Sequence, residues 1–203
     1  MVAKKDKEKQ KKNQAKKRTK SDSAFGYIIG AATIGLVYGG SKLVKIWDWD
    51  TDWHINAPLD EVYRVMTTPE LQDKWWPSMV VTKTEQLAGY PNGRKISYDV
   101  KQAASVARFA PPFRLNTISA EPEKETRIRT TVSGDLIGIL ETLFYSLPEG
   151  GTKVRYHWYV RCSNPLFNLA GWFFTPIFRA SHDHVMKEGE AGLNAYFQKT
   201  AKS

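Results

Sequence analysis

Residues 165–198 read PLFNLAGWFFTPIFRASHDHVMKEGEAGLNAYFQ. From Pro176 onward, Phe178, His182, Val185, Met186, Gly189, Leu193, Tyr196 and Phe197 recur at three- and four-residue intervals, which sets them on one face of a helix. Pro176 suits a first helical turn, where a missing N–H costs nothing, and about 22 residues from there span roughly 33 Å. The stripe holds a histidine and glycines that a plain core helix does not need. A helix with that face either packs tightly on a sheet or roofs a cavity. The preceding sequence must supply what lies beneath.

That sequence alternates. Trp47, Trp49, Trp53 and Ile55 share one side of an extended strand, and Asp48, Asp50, Asp52 and His54 share the other. The Asp-x-Asp-x-Asp run invites a calcium reading. A loop starting at Asp48, however, puts Trp53 and Leu59 where a calcium loop needs glycine and glutamate, so no metal is expected. Pro58, with Asp60 and Glu61, opens a short helix through Thr67, and Pro69 opens another that ends at Trp75-Trp76-Pro77. Strand-like runs follow at 79–88, 94–102, 113–120, 126–134, 136–146 and 152–162. They are punctuated by Tyr90-Pro91-Asn92-Gly93, Pro111-Pro112, Glu121-Pro122 and Pro148-Glu149-Gly150-Gly151. In the last run Val154, Tyr156, Trp158 and Val160 alternate with Lys153, Arg155, His157, Tyr159 and Arg161, as in a half-buried strand with a wet outer face. Short connections favour consecutive antiparallel pairing. The order is one strand, two short helices, six strands and a long helix. This is an α+β chain in which only the terminal helix is long enough to cover the sheet.

Charge locates the rest. The net charge of +9 resembles a nucleic-acid signature until it is mapped. Residues 1–20 hold ten of the 30 basic residues and two of the 21 acids, so the remainder carries only +1. Residues 1–22 read as a disordered Lys-rich tail. Between Asp22 and Lys42 lie 19 uncharged residues, SAFGYIIGAATIGLVYGGS, about 28 Å as helix against a hydrocarbon core of roughly 30 Å. Gly26/Gly30 and Gly35/Gly39 repeat a small-xxx-small spacing used for close helix contacts in membranes. Residues 23–44 are therefore read as a transmembrane or membrane-associated helix. An interfacial or domain-packed segment is the alternative, because five glycines and three alanines contribute little transfer energy; a cleaved signal peptide is disfavoured, since no convincing small-x-small cleavage site precedes the charged residues at 42–45. If the segment spans, the lysines place the N-terminus in the cytoplasm and the domain on the outer side; if it does not, a soluble cytoplasmic protein is expected. Anionic headgroups are then the expected partner of the tail, and nucleic acid is not. A single cysteine, Cys162, excludes an intramolecular disulfide and any multi-cysteine metal site.

The opening WHINAPLDEVYRVMTTPELQDKWWP is similar to the start of START-like proteins of the SRPBCC superfamily. GDLIG at 134–138, GTKVRYHWYV at 151–160, Pro165, Pro176-Ile177-Phe178 and His182-Asp183-His184-Val185-Met186 resemble its polyketide cyclase/dehydrase-type branch. The resemblance covers residues 45–198, and residues 45–203 are taken as the START-like domain. It implies a helix-grip fold, a seven-stranded antiparallel sheet wrapped around the long C-terminal helix and enclosing an apolar cavity. Within such a cavity, strand parity makes Trp75, Tyr98, Leu140, Phe144, Tyr156, Trp158 and Met186 candidate lining residues, with His182 as a polar anchor. Gly138, Gly189 and Gly192 either leave space or allow close approach.

Such a fold fixes a mode of binding rather than a reaction. No nucleophile elbow, zinc-binding helix motif, phosphate loop or dinucleotide fingerprint is present in the sequence, and no catalytic residue and no cofactor are expected. His182 and His184 lie about 200° apart on a helix and do not share a metal. The sequence thus leads to a membrane-tethered module that binds a hydrophobic small molecule or lipid. A cyclase- or dehydratase-like enzyme, and an interaction protein whose cavity is filled by side chains, remain as alternatives.

Overall fold

The computed structural model describes residues 44–102, 113–120, 122–165, 168 and 171–201. The expected tail at 1–22 and the apolar segment at 23–41 lie outside them, as does Pro111-Pro112. Among the described residues no helix is long and apolar enough to cross a membrane.

Strand β1 (Trp47–Ile55) leads into α1 (Leu59–Met66) and α2 (Pro69–Trp75). Then come β2 (Met79–Gln86), β3 (Arg94–Val100), β4 (Phe113–Ser119), β5 (Arg127–Gly134), β6 (Leu136–Ser146), β7 (Thr152–Cys162) and α3 (Gly171–Thr200). The strands form one sheet in the order β1-β7-β6-β5-β4-β3-β2, each neighbour antiparallel. A seven-stranded antiparallel sheet with a long C-terminal helix fits the helix-grip arrangement. Among the described strands, β1 alone reaches across the chain, pairing with β7 around the central hairpins.

Alternation does what it predicts on β7, where Val154, Tyr156, Trp158, Val160 and Cys162 are buried. On β1 the outward acids meet the outward bases of β7: Asp52 faces Arg155 and Asp50 faces His157 in register. Asp52 binds Arg155 at 2.7 Å and Lys153 at 2.9 Å, and His157 stands 2.8 Å from Asp50. The acidic run is thus matched by a basic row, and no group of three or more metal-ligating side chains occurs among the described residues.

The terminal helix begins earlier than Pro176. It starts at Gly171, and the proline lies inside it. Pro176 forfeits a bond to the Trp172 carbonyl, but the first turn is held by tertiary contacts. The Thr175 hydroxyl donates to the Gly171 carbonyl at 2.6 Å and accepts from the Trp47 indole at 3.3 Å. Gly171 itself is buried, with room for no Cβ beside Lys45. Trp172 and Phe173 point outward, 64 % and 87 % exposed.

Two glycines set how close the helix comes. A Cβ at Gly192 would lie 1.9 Å from the Trp75 carbonyl oxygen, and one at Gly189 would lie 2.6 Å from the Trp53 ring and 2.7 Å from that of Trp76. These positions serve close approach and leave no space. Helix side chains also reach the outer edge of β1. The His54 amide donates to Glu190 Oε1 at 2.7 Å, the Asn56 amide donates to Asn194 Oδ1 at 2.9 Å, and Asn194 returns a donor to the His54 carbonyl at 2.9 Å.

Candidate functional site

Between α3 and the sheet the core is dominated by indoles. Trp53 packs edge-on against Trp75, Trp76 and Tyr156, with ring centroids 6.3, 5.1 and 4.7 Å away. Rings of this size and rigidity do not fill a curved space completely, and among the described residues they leave room for at least two cavities. The larger, about 160 Å³, lies under α2 and is backed by Tyr98 on β3, Thr117 and Ser119 on β4, Leu140 and Thr142 on β6, and Tyr156 on β7. The smaller, about 60 Å³, lies under the first half of α3 between Trp47, Trp49, Phe178, His182, Val185 and Met186. Trp76, Met79, Leu115 and Trp158 line both.

Polar groups at these walls fall into two sets. Some are engaged: the Trp76 indole donates to the Val185 carbonyl at 2.9 Å, and the Tyr98 hydroxyl interacts with Thr117. Others are buried and find no partner among the described residues: Trp75 Nε1, Trp158 Nε1, Ser119 Oγ and the Tyr156 hydroxyl, on side chains that line the larger cavity, and His182 Nε2, on one that lines the smaller. Burial pushes the hydroxyls of Tyr98 and Tyr156 well above the usual tyrosine range, so both stay neutral.

His182 lies against the rings of Trp49 and Trp158, with centroids 5.0 and 5.9 Å away. Its Nδ1 stands 3.4 Å from Asp183 Oδ1. Burial lowers its pKa below the ordinary imidazole value; Asp183 opposes the shift and Arg179 adds to it. The neutral ring, with Nδ1 toward a carboxylate, leaves Nε2 as an acceptor. Cys162 is buried, and burial raises its thiol pKa, the opposite of what a nucleophile needs.

Of the residues singled out in the sequence, Trp75, Tyr98, Leu140, Tyr156 and Trp158 meet on the larger cavity, and Trp158, His182 and Met186 on the smaller. Phe144 is on neither wall. It is buried under α1 against Tyr63, centroids 5.4 Å apart, because it lies four residues further along β6 than Leu140, about 13 Å of strand. Gly189 packs on indoles and is not a cavity wall. Sequence reasoning missed Trp76, Met79 and Leu115, which divide the two spaces, and Asp183 as a neighbour of His182. Trp47 and Trp49 were legible as inward residues, but nothing in β1 alone tied them to a cavity.

The sequence matches the family described as polyketide cyclase/dehydrase and lipid transport over residues 48–198. The chain belongs to this family. No curated protein matches the sequence. Solved structures share the family's fold at low identity. The Zhui aromatase/cyclase from Streptomyces sp. R1128 is 11 % identical, with a TM-score of 0.58 over 77 % of this chain and 96 % of its own. TTHA0849 from Thermus thermophilus is 18 % identical, with a TM-score of 0.55 over 74 % of this chain and 99 % of its own. The match begins at Asp48, so the Lys-rich and apolar residues before it lie outside the family's pattern.

Proposed function

We propose that residues 45–203 form a carrier module that holds a hydrophobic small molecule or lipid in the space under α2 and the first half of α3, and that residues 23–44 keep it at a membrane. The free volume of the two cavities, one walled by Trp75, Tyr98, Leu140, Tyr156 and Trp158 and the other by Trp158, His182 and Met186, carries this reading. Capture follows from area: apolar ligand surface leaves water at about 25 cal/mol per Å². A tether raises the local concentration of membrane-derived ligand at the cavity. Family membership supports apolar binding, and the 19 uncharged residues beside a Lys-rich tail support the tether. Open space under α2 and α3 argues against a cavity closed by its own side chains. Phe144 is left out of the ligand set because of its place under α1.

Native mass spectrometry of the purified full-length protein tests the carrier reading. A co-purifying apolar molecule, or a rise in melting temperature with added lipid, is expected; empty protein indifferent to lipids would sink it. Cell fractionation of the full chain beside one lacking residues 1–44 tests the tether, with membrane association expected only of the former.

A cyclase-type enzyme is a second reading. It is favoured by one observation: His182 offers a bare, buried Nε2 while its Nδ1 stands 3.4 Å from Asp183, the arrangement of an oriented general base. Turnover of a reactive chain that disappears in folded His182→Ala would decide for it.

A further inference from the structure

Among the described residues, seven large apolar side chains are at least 38 % exposed. Two lie apart from the rest: Tyr90 in the turn between β2 and β3, and Tyr145 near the far end of β6, paired with Lys153. The other five gather at the end of the sheet where the chain enters the domain. Ile46 directly precedes the Trp47–Val160 pair, Ile137 pairs with Arg161, and Tyr159 sits between Asp48 and Ile139 two rungs further in. Trp172 and Phe173 stand at the same end, because Gly171 packs on the Lys45 side chain and the Lys45 ammonium lies 4.2 Å from the centre of the Trp172 ring. Surfaces that stay in water scatter such side chains singly, and a gathering of them marks a contact surface.

Chain length says what that surface meets. The uncharged stretch ends at residue 41 and the domain opens at Lys45, so four residues, at most about 14 Å of extended chain, separate them. With residues 23–44 at a membrane, the headgroup layer takes up about half of that reach, and this end of the domain lies on the bilayer. Its chemistry suits the place. Trp172 and Tyr159 each join an apolar ring to a polar edge, and Lys45 carries its charge past an indole, as side chains do at a membrane–water boundary. No acid occurs from Pro165 to His182. The charges at this end nearly cancel, Lys45 and Arg161 against Asp48 and Asp135, which favours insertion into the boundary layer over attraction to an anionic surface.

Resting on the tether reading, we infer that the end of the domain formed by Ile46, Ile137, Tyr159, Trp172 and Phe173 docks on the lipid bilayer, with Trp172 and Phe173 reaching the boundary between headgroups and acyl chains. The first turns of α3 thereby hold the domain in one orientation on the membrane, which a tether alone does not do.

Full-length protein reconstituted with phosphatidylcholine vesicles, with and without bromine on the upper acyl chains, tests this. Flotation with the vesicles reports the tether, and quenching of tryptophan emission by bromine, which needs close contact, reports the docking. Of the seven tryptophans five are buried, Trp49 is half-buried and Trp172 is exposed. Bromine is therefore expected to quench the wild type and to lose most of that effect in Trp172→Phe, which keeps an aromatic ring at the position. Phe173→Glu, at a side chain 87 % exposed, sets a charge in the boundary layer and is expected to lose most of the quenching with flotation unchanged. Protein that floats unquenched, as when a second copy covers the patch, or that is quenched as strongly in both variants as in the wild type, would overturn the inference and leave the tether standing. Protein that does not float would overturn both. The comparison of plain and brominated vesicles on the unmodified protein needs no variant to fold.

Discussion

The Trp76 indole N–H donates to the main-chain carbonyl of Val185 at 2.9 Å, a buried bond between the segment after α2 and the middle of α3. That carbonyl also belongs to the helix's own ladder, so Trp76 takes its second lone pair. The bond fixes the height of α3 above the wall shared by both cavities.

Replacing Trp76 by Phe should therefore cost stability and reshape the site. The bond and part of the ring are lost, about 2–4 kcal/mol together. Chemical denaturation should show a lower midpoint with an unchanged slope. An unchanged midpoint would mean that the contact carries no weight.

Gly192→Ala tests how closely α3 must approach. Alanine is the better helix former by about 1 kcal/mol, yet its Cβ would sit 1.9 Å from the Trp75 carbonyl oxygen. Backbone cannot yield as a side chain does, so a net loss of about 1–3 kcal/mol is expected. A stabilised Gly192→Ala protein would show that the helix is not gripped at this point.

Asp52 predicts acid sensitivity. The hydrogen bond from Arg155 above all holds its carboxyl well below the usual carboxylate range; burial opposes this, and the hydrogen bond from Lys153 adds to the lowering. A depressed carboxyl contributes stability that is present above its unfolded value of 3.8 and is lost as pH falls through the folded one. Wild type and Asp52→Asn should differ in melting temperature at pH 7 and converge below pH 4. Parallel curves down to pH 2 would remove Asp52 as the cause.

His182 predicts a second and separate window. Its folded pKa is below the ordinary 6.5 because burial disfavours the charged ring. Its contribution is complete above 6.5 and declines as pH falls from there through the folded value, since the unfolded chain takes the proton first. His182→Phe should lack that decline. An imidazole NMR titration centred above 6.5 would contradict it.

Much of the fold was legible because parity is a strong signal where one face is wet. Val154, Tyr156, Trp158 and Val160 point inward as their alternation requires. The start of α3 was hidden for a physical reason: Pro176 reads locally as a first-turn residue, while the contacts that keep residues 171–175 helical come from Trp47 and Lys45, more than 120 positions away. The site was half legible. Parity says which side of a strand a residue faces, not how far along it the cavity extends, and so it groups Phe144 with Leu140. Walls made by Trp76, Met79 and Leu115 depend on how three distant segments converge, which no single stretch encodes.

The side chains that α3 lends to β1 bear on how this molecule behaves in company. β1 is an outer strand of the sheet, and an uncovered outer strand is a template on which another chain can zip and seed aggregates. Here Glu190 and Asn194 already occupy the amides of His54 and Asn56 and the carbonyl of His54. An arriving strand finds that end of the edge occupied and, beyond it, a row of aspartates at 48, 50 and 52 that an antiparallel copy of β1 would set against its own. The helix that roofs the smaller cavity is thereby also a guard against self-association at high local concentration.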